Sequence, residues 1–420
     1  MAGGAGAVKA MILAAGLGTR LQPLTDRLPK PLLPLMLVPM LGHLLARLRC
    51  QGVREVVING HHLADRLAAW LGDGGRWDLR LTLVHEPEIL GTAGALKNAE
   101  ALLRGAPFLV INADVLADVD LQALWTRHHE RGALVTMVVR PDPAARDARP
   151  VVIDEHDRVR QINGRPEEKE RSLDSGFRRN HRVPSGHIKA MKTKSSLPRE
   201  RESRARPGLD PGFPGGSWIP AFAGVTLWGS DYHSEASNRL FSSHDEAIFT
   251  GIQIVDPQVL DAIPANRFVS TTADTYPQLL QEGRPVLAHR YDGYWLDVGV
   301  PERYLQAHRD LLDGVMGTSW EDRLPAGSRV VRGTGEQQMN DATLIPPVVL
   351  GAGVALAAGV RVGPYAVLGA GCRLRPDAEV RESVLGDHAT VGAGAVLRRC
   401  ILGPGARVPS GQSLQEECLV

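Results

Sequence analysis

Apolar positions in the first 165 or so residues follow two alternating patterns. Short continuous runs, AVKAMILAA, VREVVING, LRLTLVHE and APFLVINAD, are separated by stretches with helical spacing, LLARLRCQG, ADRLAAWLG and GALKNAEALLRG. Such alternation predicts an α/β domain whose largely parallel sheet is covered by helices. Ligands bind these sheets at the carboxyl ends of the strands. The pattern resumes at IFTGIQIVDPQVLDAI and continues through TYPQLLQEG, PVLAHRYDGYWLDVG and PERYLQAHRDLLDG.

Between these halves, residues 168–243 have no apolar period and are basic and rich in Ser, Pro and Gly. LDSGFRRN at 173–180 returns imperfectly as LDPGFPGG at 209–216. Together with SWIPAFAGVT these units resemble the translated product of dispersed intergenic repeats of bacterial genomes. The segment is read as an in-frame insertion. Its basic part nearly lacks the aromatics that stack on nucleic acid, so it predicts solvated chain rather than a nucleic-acid arm.

From residue 344 the period changes to six. Leu350, Leu356, Val362, Leu368, Leu374 and Val380 keep the beat, with Val354, Val360, Ala366, Cys372 and Ala378 four places after each of the first five. The register slips by one at Leu385, holds through Val391 and Leu397, slips at Leu402 and resumes at Val408. Hexads predict short parallel strands stacked as a triangular coil, aliphatic residues inside and glycines at corners. The expected organisation is a first domain over 8–315, interrupted at 168–243, a linker over 316–343 and a coil over 344–420.

Composition narrows the function. The 420 residues carry a formal net charge of +1, which gives no whole-molecule attraction to nucleic acid or anionic membrane. Cys50, Cys372, Cys400 and Cys418 lie far apart without a C-x-x-C pair, against a disulfide framework or zinc site and in favour of a cytoplasmic protein. The stretch PLLPLMLVPMLGHLLA falls short of the roughly 20 residues that cross a bilayer and contains three prolines. MAGGAGAV at the start has neither a cationic beginning nor a signal-type apolar core.

The candidate chemistry begins at AAGLGTR, residues 14–20, after the first strand. A glycine loop there fits an anion cradle or a bare turn. No Gly-Lys-Ser/Thr follows, and Leu21 takes the place of a dinucleotide fingerprint's third glycine, so two familiar phosphate loops are excluded. Lys30 follows on LQPLTDRLPKPLLP, where prolines restrict the backbone. HEPEILGTAGAL holds Glu86, Gly91 and Thr92, readable also as a turn into a helix capped by Thr92. INAD and YWLDVG end strands in Asp114 and Asp297. His61 and His62 in NGHH have no metal partner set and read as loop or cap residues.

Residues 11–34 as a whole resemble the signature of the sugar nucleotidyltransferases, and the likeness extends over nearly all the chain outside the insertion. The resemblance implies a Rossmann-like nucleotidyltransferase domain with a mixed, mostly parallel sheet, followed by a left-handed parallel β-helix. It implies nucleoside triphosphate binding by Ala14, Ala15, Gly16, Gly18, Thr19, Arg20 and Lys30, a base contact from Glu86, and close approach of base or ribose at Gly91 and Thr92. Asp114 and Asp297 stand at its Mg²⁺ positions. Arg165, in Gly164-Arg165-Pro166, is the candidate cation for the sugar phosphate. Ala113 stands where glycine commonly precedes the metal aspartate, and Val300 where threonine commonly follows the D-V-G turn.

The implied reaction is in-line attack of a sugar 1-phosphate oxygen on the α-phosphorus, with pyrophosphate leaving. The nucleophile is already an anion, so cations matter more than a general base. Transferase domain plus coil resembles mannose-1-phosphate guanylyltransferases most, which implies GTP and mannose 1-phosphate as substrates and a homo-oligomer. Thymidylyl or uridylyl transfer, and a catalytically silent scaffold, are the alternatives; acyl transfer by the coil would rest on His388 alone.

Overall fold

The computed structural model describes residues 8–141, 150–162, 246–315, 330–333 and 338–420. The insertion at 168–243 and Arg165 lie outside them. The main strands of the first domain are β1 (Val8–Leu13), β2 (Val53–Gly60), β3 (Arg80–His85), β4 (Phe108–Asn112), β5 (Val115–Ala117), β6 (Val135–Pro141), β7 (Val151–Ile153), β8 (Val159–Ile162), β9 (Glu246–Val255), β10 (Val286–Arg290) and β11 (Trp295–Asp297). Its main helices are α1 (Met40–Cys50), α2 (Ala64–Leu71), α3 (Gly91–Asn98), α4 (Leu121–Glu130), α5 (Tyr276–Gln281) and α6 (Pro301–Asp313).

A mixed sheet runs β8-β7-β9-β4-β1-β2-β3, with β6 also on β9 and β10 on β6. Pairing is parallel from β4 through β3 and between β6 and β10, and antiparallel wherever β9 takes part. Alternation along β1 shows why the apolar runs are continuous. Met11 enters one core and Ala10 and Ile12 the other, because both faces of the sheet are covered. No described helix is long and apolar enough to cross a membrane.

Two strands frame the insertion. Ile162 at the end of β8 and Ala247 at the start of β9 both pair with Val151 of β7, from opposite sides. Two interstrand spacings separate them, about 10 Å. The chain therefore leaves and re-enters the sheet at neighbouring points, a geometry in which extra residues cost little closure entropy.

The hexads form three ladders of parallel strands. Val348 pairs with Ala366, eighteen positions on, whereas Leu368 pairs with Leu385 and Leu385 with Leu402, seventeen apart. The one-residue slips are thus one corner shortened in each later turn. The coil also starts earlier than its period suggests. Val330–Arg332 pairs with Val348–Leu350, and Gln338–Met339 with Ala355–Leu356, so part of the expected linker over 316–343 is coil. This first turn hides because GEQQMN offers no aliphatic residue until Met339. His388 stands exposed at a corner, its ring against Gly371.

Coil and first domain share an apolar contact. Val349, Val367, Val384 and Ile401 point out of one coil side and pack in one cluster with Leu311 and Leu312 of α6 and with Leu33, Leu35 and Met36. Arg309 pairs with Glu382, and Tyr365 Oη donates to Asp313 Oδ1 at 2.9 Å.

Buried histidines make this fold acid-sensitive. Burial lowers His308 to about 3, and burial with a neighbouring cationic group lowers His128 and His289 to about 4. A base held below its unfolded value of 6.5 favours the unfolded chain as soon as that chain protonates. Stability is therefore intact above about pH 6.5 and falls below it, by up to about 4 kcal/mol per pH unit for roughly three protons. Urea unfolding from pH 8 to 5 checks this; a flat profile contradicts it.

Candidate functional site

Four strand ends and one proline-pinned loop meet at the carboxyl edge of the sheet. The loop after β1 turns at Gly18, whose φ of 66° suits glycine. A Cβ on Gly18 would meet Thr25 Cγ2 at 2.9 Å and Lys30 Cβ at 3.2 Å, so this glycine lets Lys30 pack beneath the loop. Gly16 has open space where a Cβ would stand. The amides of Gly16, Leu17 and Gly18 donate to no acceptor among the described residues and are free to line an anion site. Ala14 and Ala15 are buried at the root of the loop, while Thr19 and Arg20 are exposed above it.

The two aspartates are brought together by a small antiparallel ribbon. β5 pairs with β11 so that Asp297 sits opposite Val115, and the Val298 amide donates to Asp114 O at 2.9 Å. β9 supports the ribbon from behind. It bulges at Gly251, φ 82°, where a Cβ would strike the Asn112 side chain, and its Thr250 carbonyl accepts from Trp295 Nε1 at 2.8 Å. Lys30 Nζ forms an ion pair with Asp114 Oδ2. Arg20 lies against Gly299, where a Cβ would come within 2.8 Å of its guanidinium.

Asp297 is the electrostatically strained member. Burial, then the charge of Asp114, pushes its carboxyl above the usual range, against the pull of Lys30, Arg20 and Arg303. Its Oδ1 is buried with no hydrogen-bond partner among the described residues. An orphaned carboxylate oxygen facing a second carboxylate is the donor set a hard divalent cation takes. No group of three or more His, Cys, Asp or Glu with metal-holding geometry occurs among the described residues. The pair fits Mg²⁺, which accepts one or two carboxylates and completes its shell with phosphate oxygens and water.

The departures at Ala113 and Val300 differ in consequence. Ala113 is buried, its amide donates to Leu13 O at 3.0 Å, and it is not among the residues with positive φ, so the methyl costs nothing. Val300 is the N-cap of α6 and has no side-chain cap hydrogen bond. Val300→Thr is expected to stabilise the protein by about 1 kcal/mol, measured as a shift in denaturant midpoint at constant slope.

The base loop differs most from expectation. Glu86 is 1% exposed; Oε1 accepts from Asn59 Nδ2 at 2.8 Å and Oε2 from the Leu90 amide at 3.3 Å. The carboxylate thus lies beneath the loop with both oxygens engaged, rather than presented to a base edge. Gly91, φ 73°, is needed by the chain itself: a Cβ there would meet Val269 O at 2.6 Å. Thr92 Oγ1 accepts from the Thr271 amide at 2.8 Å and does not cap α3. Asn59, which sequence reasoning passed over, lies at the centre of this arrangement; an asparagine ending a strand looks like any turn former.

Comparison with known proteins agrees with this geometry. Residues 9–314 match the nucleotidyl transferase family, and residues 335–417 the GlmU-like C-terminal hexapeptide family. The chain is 28% identical over 396 residues to mannose-1-phosphate guanylyltransferase of Mycobacterium tuberculosis, covering 93% of this chain and 83% of that one. It is 25% identical over 404 residues to UTP–glucose-1-phosphate uridylyltransferase of Synechocystis, covering 93% and 86%. A shorter match, 47% over 119 residues, joins 28% of this chain to 52% of N-acetylmuramate alpha-1-phosphate uridylyltransferase of Neisseria meningitidis. The chain belongs to the nucleotidyl transferase family and carries a hexapeptide coil behind its transferase domain.

Proposed function

We propose that the protein joins GTP to mannose 1-phosphate, giving GDP-mannose and pyrophosphate. The observation that carries nucleotidyl transfer is the cluster of Lys30, Asp114 and Asp297 beneath a glycine loop with open amides. The finer choice of substrates draws on the guanylyltransferase relatives that match both domains.

In this reading the free amides of residues 16–18 receive phosphate oxygens, and Arg20 and Lys30 neutralise charge that grows on the departing pyrophosphate. Gly299 keeps Arg20 close to Asp297 by having no side chain to push it away. Asp114 and Asp297 would hold Mg²⁺, which supplies charge neutralisation and alignment of the phosphates when bound. Lys30, paired with Asp114, links the ion's ligand to the triphosphate loop. Arg165 is the proposed partner of the sugar phosphate. Homo-oligomeric assembly through the coil, and a cytoplasmic setting, complete the proposal.

A second reading, uridylyl transfer to another sugar 1-phosphate, is favoured by the 47% match over 119 residues. Pyrophosphate release, measured with Mg²⁺ across all four NTPs and a panel of sugar 1-phosphates, decides between them. Turnover confined to GTP with mannose 1-phosphate supports the first reading, and turnover with UTP the second. No turnover with any pair leaves the scaffold alternative. The same assays on a form lacking residues 168–243 test whether the insertion limits activity.

A further inference from the structure

Three loops at the carboxyl ends of β1, β2 and β3 form the nucleotide half of the site. One short stretch at the end of β2, Asn59 to His62, touches both of the others. Asn59, 3% exposed, accepts from the Ala14 amide through Oδ1 at 2.7 Å and donates to Glu86 Oε1 through Nδ2 at 2.8 Å. His61 Nδ1 stands 2.8 Å from the carbonyl oxygen of Glu86. His62 Nε2 stands 3.0 Å from that of Thr25, whose hydroxyl donates to Gly18 O at 2.9 Å. Carbonyls only accept, so each imidazole is the donor: His61 carries a proton on Nδ1 and His62 on Nε2.

We infer that Asn59 and Glu86, flanked by His61 and His62, are a positioning clamp that sets the spacing between triphosphate loop and base loop. This rests on the nucleotidyl-transfer reading. Among the described residues no hydrogen bond joins residues 14–20 directly to residues 86–91; Asn59 is bonded to both, with His61 and His62 adding a second link. A carboxamide suits this place beside a carboxylate, since it accepts from an amide on one side and donates to the carboxylate on the other. A nucleotide that spans both loops binds well only when their separation is fixed beforehand.

The polarity of the pair provides the test. Asn59→Asp sets two carboxylates face to face and breaks the clamp. Adding Glu86→Gln restores every bond in reverse: the new carboxylate accepts from Ala14 and from the new carboxamide, whose oxygen takes the Leu90 amide. Binding is followed by fluorescence titration with the mant derivatives of GTP, UTP, ATP, CTP and dTTP, beside steady-state kinetics and thermal melts.

Asn59→Asp is expected to weaken binding of whichever probe the wild type takes at least tenfold. The loss appears in the nucleotide KM rather than in kcat or the sugar-phosphate KM. The double variant returns to within about threefold of wild type. Should Asn59→Asp fail to fold, His62→Phe and His62→Gln take its place, with only the phenylalanine weakening binding because glutamine keeps a donor. Unchanged nucleotide affinity in the single variant overturns the clamp. So does a double variant no better than the single, the result if Glu86 reads the base through its charge. Wild-type protein that binds none of the probes overturns the functional reading and the clamp with it.

Discussion

Asp297→Asn is expected to yield a protein more stable than wild type and nearly inactive. The carboxyl is held above its ordinary range by burial and by Asp114. A group raised in this way favours the native state only while protonated, below its unfolded value of about 3.9. That contribution is lost as pH rises through the elevated native value, above which the ionised Asp297 is a net cost to the fold. The carboxamide carries no charge and removes the cost. Its stability advantage should be small near pH 4 and grow as pH rises through the native value.

Turnover moves the other way. A carboxamide does not replace an anionic metal ligand, and losing one electrostatic contact of this kind costs about 10²–10³ in rate. Mg²⁺ separates the two effects: it should raise the melting temperature of wild type by mass action and leave that of Asp297→Asn unchanged. Thermal melts from pH 4 to 8 with and without Mg²⁺, beside pyrophosphate release, carry the measurement. A variant less stable than wild type at pH 7, or one that keeps its Mg²⁺ response, contradicts the argument.

This opposition between stability and chemistry is legible in sequence for some residues only. Asp114 and Asp297 each end an apolar run, and a strand that delivers a carboxylate to the edge of an α/β sheet is visible in the pattern itself. Lys30 is visible because prolines pin its loop. The hexads are visible because repetition averages out local exceptions. Glu86, Gly91 and Thr92 were legible as a loop but not in their contacts. A glycine announces that something comes close; it does not say that the visitor is Val269 of the same chain. Asn59 is silent for a related reason, since its role depends on two loops far from it in sequence.

The coil shows the same limit. Its period of six identifies the residues that point inward, Leu350, Leu368, Leu385 and Leu402 among them. The neighbouring Val349, Val367, Val384 and Ile401 break the polar-outside rule on one side only, and that excess marks the surface covered by α6. A periodicity argument counts them as extra aliphatic residues; only the tertiary contact gives them a function.

Val367→Asp tests what that contact does. Val367 is 1% exposed between coil and α6, so a carboxylate there is desolvated without a partner, at a cost of several kcal/mol. α6 in turn steadies the segment that follows Lys30: Tyr304 Oη donates to Pro34 O, and the Met36 amide donates to His308 Nδ1 at 3.4 Å. Met36 and Leu37 have φ of 50° and 70°, conformations that cost a non-glycine residue roughly 1–2 kcal/mol each and persist only under outside support. Loosening the coil removes part of that support from the loop that carries Lys30. Val367→Asp should therefore lower the melting temperature by roughly 10 °C and kcat/KM at least about tenfold. Thr390→Asp is the control, because Thr390 lies on another coil ladder between Arg373 and Arg407, and a charge there should stay within about 0.5 kcal/mol of wild type. If Val367→Asp melts early but keeps full kcat/KM at a temperature where it is folded, the coil stabilises the protein without steadying its site.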